Sequence, residues 1–315
     1  MIVFHDHLDG GLRPETLLEL SLNLSYKPII NLDLEDLKKL LNKSKSNSLE
    51  DFLSAFKHTI SVMQSYENIE RISFEAAEDM HMNGIKYYES RYAPLYSVNN
   101  TLTPLDVVDA INSGFNRAHH KYGIKSGLIV CGMRNDPKDV DTLTKLACTN
   151  IKDNIIGFDI AGPEMGYPPS TYINEFTTLK ENNINLTIHA GEGAGVEYIQ
   201  EALDSGADRI GHGVRIIEDI DISEIPYKLG TTSREILDKN IMLEICISSN
   251  IHTKMYKNVH EHPIKLLYDL GFNISVNTDN RLMSNTSIKK ALELANSIGI
   301  NKKINDDKIG YSFLS

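Results

Sequence analysis

His5 and His7 flank Asp6 at the end of the apolar run Met1-Ile2-Val3-Phe4. Side chains alternate across a strand, so residues i and i+2 share a face and both imidazoles reach one point beyond the strand end. Two histidines set this way are a metal-site signature, and the plainer reading is a pair of surface histidines. His189-Ala190-Gly191-Glu192 adds a third histidine with a carboxylate three residues on. Arg209-Ile210-Gly211-His212-Gly213 isolates a fourth histidine between glycines, and Asn277-Thr278-Asp279-Asn280 delivers an aspartate. A lone histidine in a strand is more often a satisfied core residue, but four at strand ends, with Glu192 and Asp279, do not fit that account. Three histidines and one carboxylate leave room for a water on a divalent metal, which lowers the pKa of that water toward neutrality. A carboxylate off the metal can protonate a substrate, and a histidine off the metal can orient the water or take its proton. The chemistry implied is metal-assisted hydrolysis.

Such residues need a scaffold that brings distant segments together. Eight short apolar runs recur, at residues 2–7, 85–91, 127–133, 155–160, 185–189, 208–211, 241–246 and 273–277. Between them lie helical patterns such as 104–122, 171–182, 196–205, 232–238 and 262–270. Strand and helix in alternation predict βαβ units and a parallel sheet. Eight repeats in about 300 residues suit a closed (β/α)8 TIM-type barrel, with a doubly wound open sheet as the alternative. No GxGxxG opens the first helix. The reactive residues fall just after the strands, on the face where a barrel carries its site: His5 and His7, Glu89 and Arg91, Arg134, Asp159 and Gly162, His189 and Glu192, His212, Ser248 and Asn250, Asp279 and Asn280. Residues 8–84 are too long for a simple connection. Helical patterns at 17–24, 34–41 and 49–63, joined by a polar connector at 42–48, predict a helical lid over the barrel mouth within a single 1–315 domain.

The 315 residues carry a net charge of −11, with 41% hydrophobic and 24% charged residues. An acidic chain with no basic stripe is a poor nucleic-acid or anionic-membrane binder, and no apolar run approaches the roughly 20 residues of a membrane span. No cationic-then-apolar leader opens the sequence. Cys131, Cys148 and Cys246 share no metal-finger or CxxC spacing, so they read as reduced thiols of a cytoplasmic protein.

The segments HDHLDGGLRPETLLEL, ESRYAP, GFDIAGPE, HAGEGAG, RIGHGV and NTDNRLMS resemble, in order, those of adenosine deaminases in the amidohydrolase superfamily. The resemblance runs from His5 to about Asn296. It implies a zinc-dependent barrel hydrolysing adenosine, and 2′-deoxyadenosine, to inosine and ammonia in purine salvage. It further implies that His5, His7, His189 and Asp279 bind one Zn2+ per chain, and that Asp279 also hydrogen-bonds the attacking water. His212 would position and help deprotonate that water, Glu192 would protonate purine N1, the Gly162 amide would bind N3, and Asp9 would hold the ribose 5′-hydroxyl. Alternatives are an aminohydrolase of adenine, a modified adenosine or AMP, and a non-catalytic nucleoside-binding relative.

The sequence departs from that pattern twice. Many family members carry Asp-Asp where this chain has Asp279-Asn280; an asparagine amide can donate to N7 directly. The stretch after strand eight is short, as in a chain that stops before the family's usual end. Around the site, Phe52 and Phe56 are read either as substrate-facing or as core packing. Arg91 is expected to brace the mouth by a salt bridge, Asp159 and Glu164 to support the ligands, and His119-His120 to be solvated. Of His252, His260 and His262, only His252 is expected near the site. The partner expected is a purine nucleoside, with the protein a monomer or weak homodimer.

Overall fold

The computed structural model describes residues 1–43, 54–149, 155–223 and 225–314. Eight parallel strands carry the architecture: β1 (Ile2–Val3), β2 (Tyr87–Tyr92), β3 (Lys125–Met133), β4 (Ile155–Ala161), β5 (Thr187–Ala190), β6 (Arg209–His212), β7 (Met242–Ile245) and β8 (Ile274–Val276). They pair in chain order within two four-stranded sheets, β1 to β4 and β5 to β8. Parallel bridges join the sheets at both seams, Phe158 to Leu186 and Asp6 to Asp279. The ring is therefore closed in the order expected for a (β/α)8 barrel. A two-stranded hairpin (Ile220–Asp221 with Lys228–Leu229) stands outside it.

Helices α1 (Pro14–Asn23), α2 (Leu34–Leu41), α3 (Phe56–Ile60) and α4 (Tyr66–Met82) fill the long β1–β2 connection. The remaining connections hold α5 (Pro104–Tyr122), α6 (Pro137–Thr149), α7 (Ile173–Glu181), α8 (Val196–Asp204), α9 (Thr231–Asp238), α10 (Ile247–His252), α11 (Ile264–Asp269) and α12 (Ile288–Ser297). The helix limits follow capping chemistry. In α5, Thr103 and Asp106 form a capping box, Pro104 takes the first turn, and Gly123 ends the helix in the left-handed region. Of the 49–63 pattern, residues 49–53 lie outside the described residues, and among the described ones Phe56–Ile60 is helical.

The barrel interior is not filled only by branched apolar side chains. Glu89, Arg91, Asp159, Arg209 and Glu244 are each at most 1% exposed, and salt bridges join them. The β1–β8 seam is also held by side chains. Phe4 N and His5 N both donate to Asn277 Oδ1, at 3.0 and 3.2 Å. Lower down, the fully buried Asn305 donates to Ile2 O (3.0 Å) and Val276 O (2.7 Å) and accepts from Val276 N (3.0 Å). One amide thus stands in for a missing rung between two strands too short to pair.

This use of Asn305 is testable. Asn305→Ala orphans a buried N–H and two buried carbonyls, each worth about 1–3 kcal/mol. Urea unfolding followed by circular dichroism should show a loss of at least about 2 kcal/mol. A loss below about 0.5 kcal/mol would mean the seam closes without this residue.

Candidate active site

His5 and His7 face the barrel axis, while Asp6 between them faces the helical layer. There Asp6 accepts from Tyr88 Oη (2.6 Å), Thr278 Oγ1 (2.8 Å) and Arg281 Nε (2.9 Å). His189 lies one residue before the end of β5, and Asp279 follows β8. His7 Nε2 lies 3.3 Å from His189 Nε2 and 3.3 Å from Asp279 Oδ1, and His5 Nε2 lies 3.6 Å from Asp279 Oδ1. The donor atoms of His5, His7, His189 and Asp279 all lie within 4.8 Å of one another.

Two of these imidazoles are aimed by buried carboxylates. His5 Nδ1 lies 3.0 Å from Glu244 Oε2. His189 Nδ1 lies 2.8 Å from Asp159 Oδ2, off the ideal hydrogen-bond angle, while His189 N donates to Asp159 Oδ1 (3.1 Å). Such partners place the ring proton on Nδ1 and leave the Nε2 lone pair pointing inward. Buried His5 Nε2 has no protein hydrogen-bond partner. Burial holds His7 and His189 below the ordinary imidazole pKa, so both are neutral ligands. Two facing lone pairs 3.3 Å apart repel unless a cation lies between them. With metal–nitrogen bonds of 2.0–2.1 Å, a tetrahedral edge is about 3.3 Å, so these four residues fit a divalent metal.

Glu192 sits in the loop after β5, and Glu164 holds that loop. The Glu164 carboxylate accepts from the backbone amides of Gly191, Glu192, Gly193 and Ala194. Burial, with the charges of Asp279 and Glu164, pushes the Glu192 carboxyl well above its usual range against the pull of Arg134. Asp279 moves the other way. Burial would raise it, but the adjacent His5, His7 and His212 hold it well below the usual range. Two neighbouring carboxyls with pKa values driven apart are an acid and a base.

His212 Nε2 lies 3.6 Å from Glu192 Oε2 and is otherwise buried without a partner. Its tautomer follows from a chain of three side chains. Ile264 N donates to His262 Nδ1 (3.1 Å), and burial holds His262 neutral, its pKa pulled down to about 3. His262 Nε2 therefore carries the proton and donates to Asn250 Oδ1 (3.2 Å), and Asn250 Nδ2 donates to His212 Nδ1 (3.1 Å). His212 then presents an Nε2–H to the cavity. His262, not His252, is thus the histidine linked to the site. It is distant in sequence and reaches His212 only through Asn250, so no spacing rule revealed it.

These groups form the floor of a cavity of about 310 Å³. Asp9, Gly162, Glu192, His212, Asp279 and Asn280 all line it, so the structure brings every residue singled out for substrate or chemistry either to this cavity or to the donor cluster beneath it. Burial, with the charges of Asp279 and Asp6, pushes Asp9 up to about 7. Gly162 has φ +95°, a conformation that favours glycine. A Cβ at Gly10 would collide with the Asn280 amide, so glycine there gives Asn280 its place. Phe56, Lys57 and Ile60 of α3 form one wall; Phe52 lies outside the described residues. Arg91 pairs with Asp159 (2.6 Å) and Glu244 (2.7 Å) as a brace, and His119 and His120 are exposed. Glu244, which no motif pointed to, was visible only as an acid in the otherwise apolar strand Met242–Ile245.

A closed parallel barrel with a His/Asp cluster at the C-terminal strand ends defines an amidohydrolase-type enzyme. The Adenosine deaminase family model matches residues 2–303, and the chain belongs to that family of hydrolytic deaminases. It is 42% identical over 300 residues to adenosine deaminase 1 of Streptomyces coelicolor, covering 93% of this chain and 76% of that protein. It is 42% identical over 298 residues to adenosine deaminase of Mycobacterium ulcerans, covering 92% and 82%. Its fold is similar to that of an amidohydrolase from Burkholderia ambifaria solved with bound Zn (TM-score 0.84, 20% identity, covering 100% of this chain and 85% of that one). No helix among the described residues is long and apolar enough to cross a membrane.

Glu164→Gln replaces an acceptor of four amides with a side chain that is half donor. A charge-assisted bond to an ionised acceptor is worth about 1.5–3 kcal/mol, so amide hydrogen exchange at residues 191–194 should accelerate at least about tenfold. Unchanged exchange there would show that the loop holds its shape without Glu164.

Proposed function

We propose that the chain hydrolyses adenosine, and 2′-deoxyadenosine, to inosine and ammonia in purine salvage. The observation that carries this reading is the donor set of His5, His7, His189 and Asp279 beneath a cavity walled by Glu192, whose carboxyl is pushed by burial well above its usual range. The identity to adenosine deaminases supports the choice of substrate. His5, His7, His189 and Asp279 would hold one Zn2+ per chain, since three imidazoles and a carboxylate suit zinc. When bound, zinc supplies the Lewis acidity that makes water nucleophilic near neutral pH.

The chain's own residues do the rest. Glu192 gives its proton to purine N1, which draws electrons from C6 and opens it to water. His212 Nε2–H donates to the attacking oxygen and fixes its approach. Burial and the neighbouring His5 hold the His212 pKa well below the ordinary value, so the ring stays neutral and keeps Nε2–H toward that oxygen while Nδ1 accepts from Asn250. Asp279, held ionised, takes the water's proton as the C6–O bond forms and passes it to the amino group, which leaves C6 as ammonia. The C6 hydroxyl gives its proton back to Glu192 as the carbonyl forms. Gly162 N is proposed to bind N3, Asp9 the 5′-hydroxyl and Asn280 N7. The helical segment 8–84 is proposed to cover the mouth, which the place of Phe56 and Ile60 in the wall supports.

Purified, zinc-loaded protein should release ammonia from adenosine and deoxyadenosine far faster than from adenine or AMP. Preference for adenine or AMP would overturn the substrate assignment. Elemental analysis should find about one zinc per chain. Glu192→Gln should keep that zinc and lower kcat about 10²–10⁴-fold; turnover near wild type would remove Glu192 as the acid.

Asn280 gives a separate test. With N7 replaced by carbon, its buried amide donor loses a partner, at a cost of about 1–3 kcal/mol. A 7-deaza substrate should show kcat/KM lower by about tenfold or more, and Asn280→Ala should shrink that gap. Equal kcat/KM values in wild type would leave Asn280 with no part in reading N7.

A further inference from the structure

The chain after α12 runs beneath the barrel, on the side opposite the donor cluster. Ser312 Oγ and Phe313 N both donate to Glu89 Oε1, each at 2.7 Å. Tyr311 O accepts from Arg209 Nη1 at 2.8 Å. The Phe313 ring lies 3.6 Å from the Arg209 guanidinium carbon, and Phe4 lies 5.0 Å away on its own side. A Cβ at Gly157 would strike the Phe313 ring, so this contact has space cleared for it. The family match ends at residue 303, before Tyr311, Ser312 and Phe313.

From there a line of buried ions crosses the barrel interior. Glu89 Oε2 accepts from Arg209 Nη2 (2.6 Å), and Arg209 Nε faces Glu244 Oε1 (2.7 Å). Glu244 Oε2 faces His5 Nδ1 (3.0 Å) and accepts from Arg91 Nη2 (2.7 Å), and Arg91 Nη1 reaches Asp159 (2.6 Å), the partner of His189. Each ion in this line fixes the rotamer of the next. Removing its far end leaves Glu89 short of two donors and Arg209 short of an acceptor and a ring.

We propose that residues 311–313 are a positioning element for the metal ligands, acting on His5 through Glu89, Arg209 and Glu244. This rests on the zinc reading of the same four ligands. None of these tail residues touches the cavity, so their effect must travel through the ion line. Removing a direct outer partner of a metal ligand costs about 10–100-fold in metal affinity. A relayed effect should fall at the lower end of that range.

The test measures zinc affinity by chelator competition, and the visible spectrum of the cobalt(II)-substituted protein, for wild type, Phe313→Ala, Ser312→Ala, Phe313→Tyr and Leu143→Ala. Leu143 is buried in the helical layer at α6 and serves as a stability control. Phe313→Ala and Ser312→Ala should weaken zinc binding by about tenfold and shift the cobalt bands. Phe313→Tyr, which keeps the ring over Arg209, should restore both. Leu143→Ala should leave affinity and spectrum unchanged even where its melting temperature falls as far. Wild-type affinity in both tail variants, or an equal loss in Leu143→Ala, would overturn the proposal while leaving the metal site standing. Absence of zinc binding in wild type would overturn the metal reading itself, and the proposal with it.

Discussion

The Glu244 carboxylate is the contact on which the site depends. It is fully buried, yet it faces Arg91, Arg209, His5 and the Thr187 hydroxyl (3.1 Å). Burial alone would drive it to the neutral acid, and the two guanidiniums reverse that and hold it well below the usual carboxylate range. An ionised group without such partners would be several kcal/mol out of place in the interior, and breaking one buried pair costs about 3–5 kcal/mol. The arrangement is therefore close to all-or-none. Either the alternating ions are present together, or each remaining one is a liability. A core of Leu and Ile would be as stable, but it could not fix the tautomer of His5.

This explains which parts of the molecule were legible in the sequence. The eight strands were readable because each is a short apolar run bounded by turn residues, and parallel strands buried on both faces need such runs. Their ends were readable because His5, His7, His189, His212 and Asp279 stand in compact local motifs. Glu244 and Asn305 were not, because their partners lie far away in the chain: Glu244 meets His5 across 239 positions and Asn305 meets Ile2 across 303. Local spacing carries no information about such pairs.

Barrel closure and site assembly are one event. At the β1–β8 seam, His7 N donates to Asp279 O (2.8 Å) and Asp279 N donates to His5 O (3.0 Å). The three residues whose side chains converge are thus the ones whose backbones seal the ring. Asp279 and His212 both hold positive φ, at 56° and 61°, which costs a residue with a Cβ about 1–3 kcal/mol. That conformation turns the chain sharply at the strand end and aims each side chain across the axis instead of along the strand. The surrounding hydrogen bonds must over-determine it, and at Asp279 the seam bonds do so.

A consequence follows for the energetics of the fold. The seam strands are short, and β1 and β8 lean on Asn277 and Asn305 for rungs that ordinary strands would supply. With three inward-facing lone pairs and a carboxylate at its upper end, the seam without a cation carries electrostatic repulsion at its weakest point. A cation that binds the closed ring and not the open one stabilises closure by mass action. The ligand cluster is then a staple for the fold as much as a site for chemistry. The buried ion line beneath it keeps the staple's prongs pointing the same way whether or not the cation is bound.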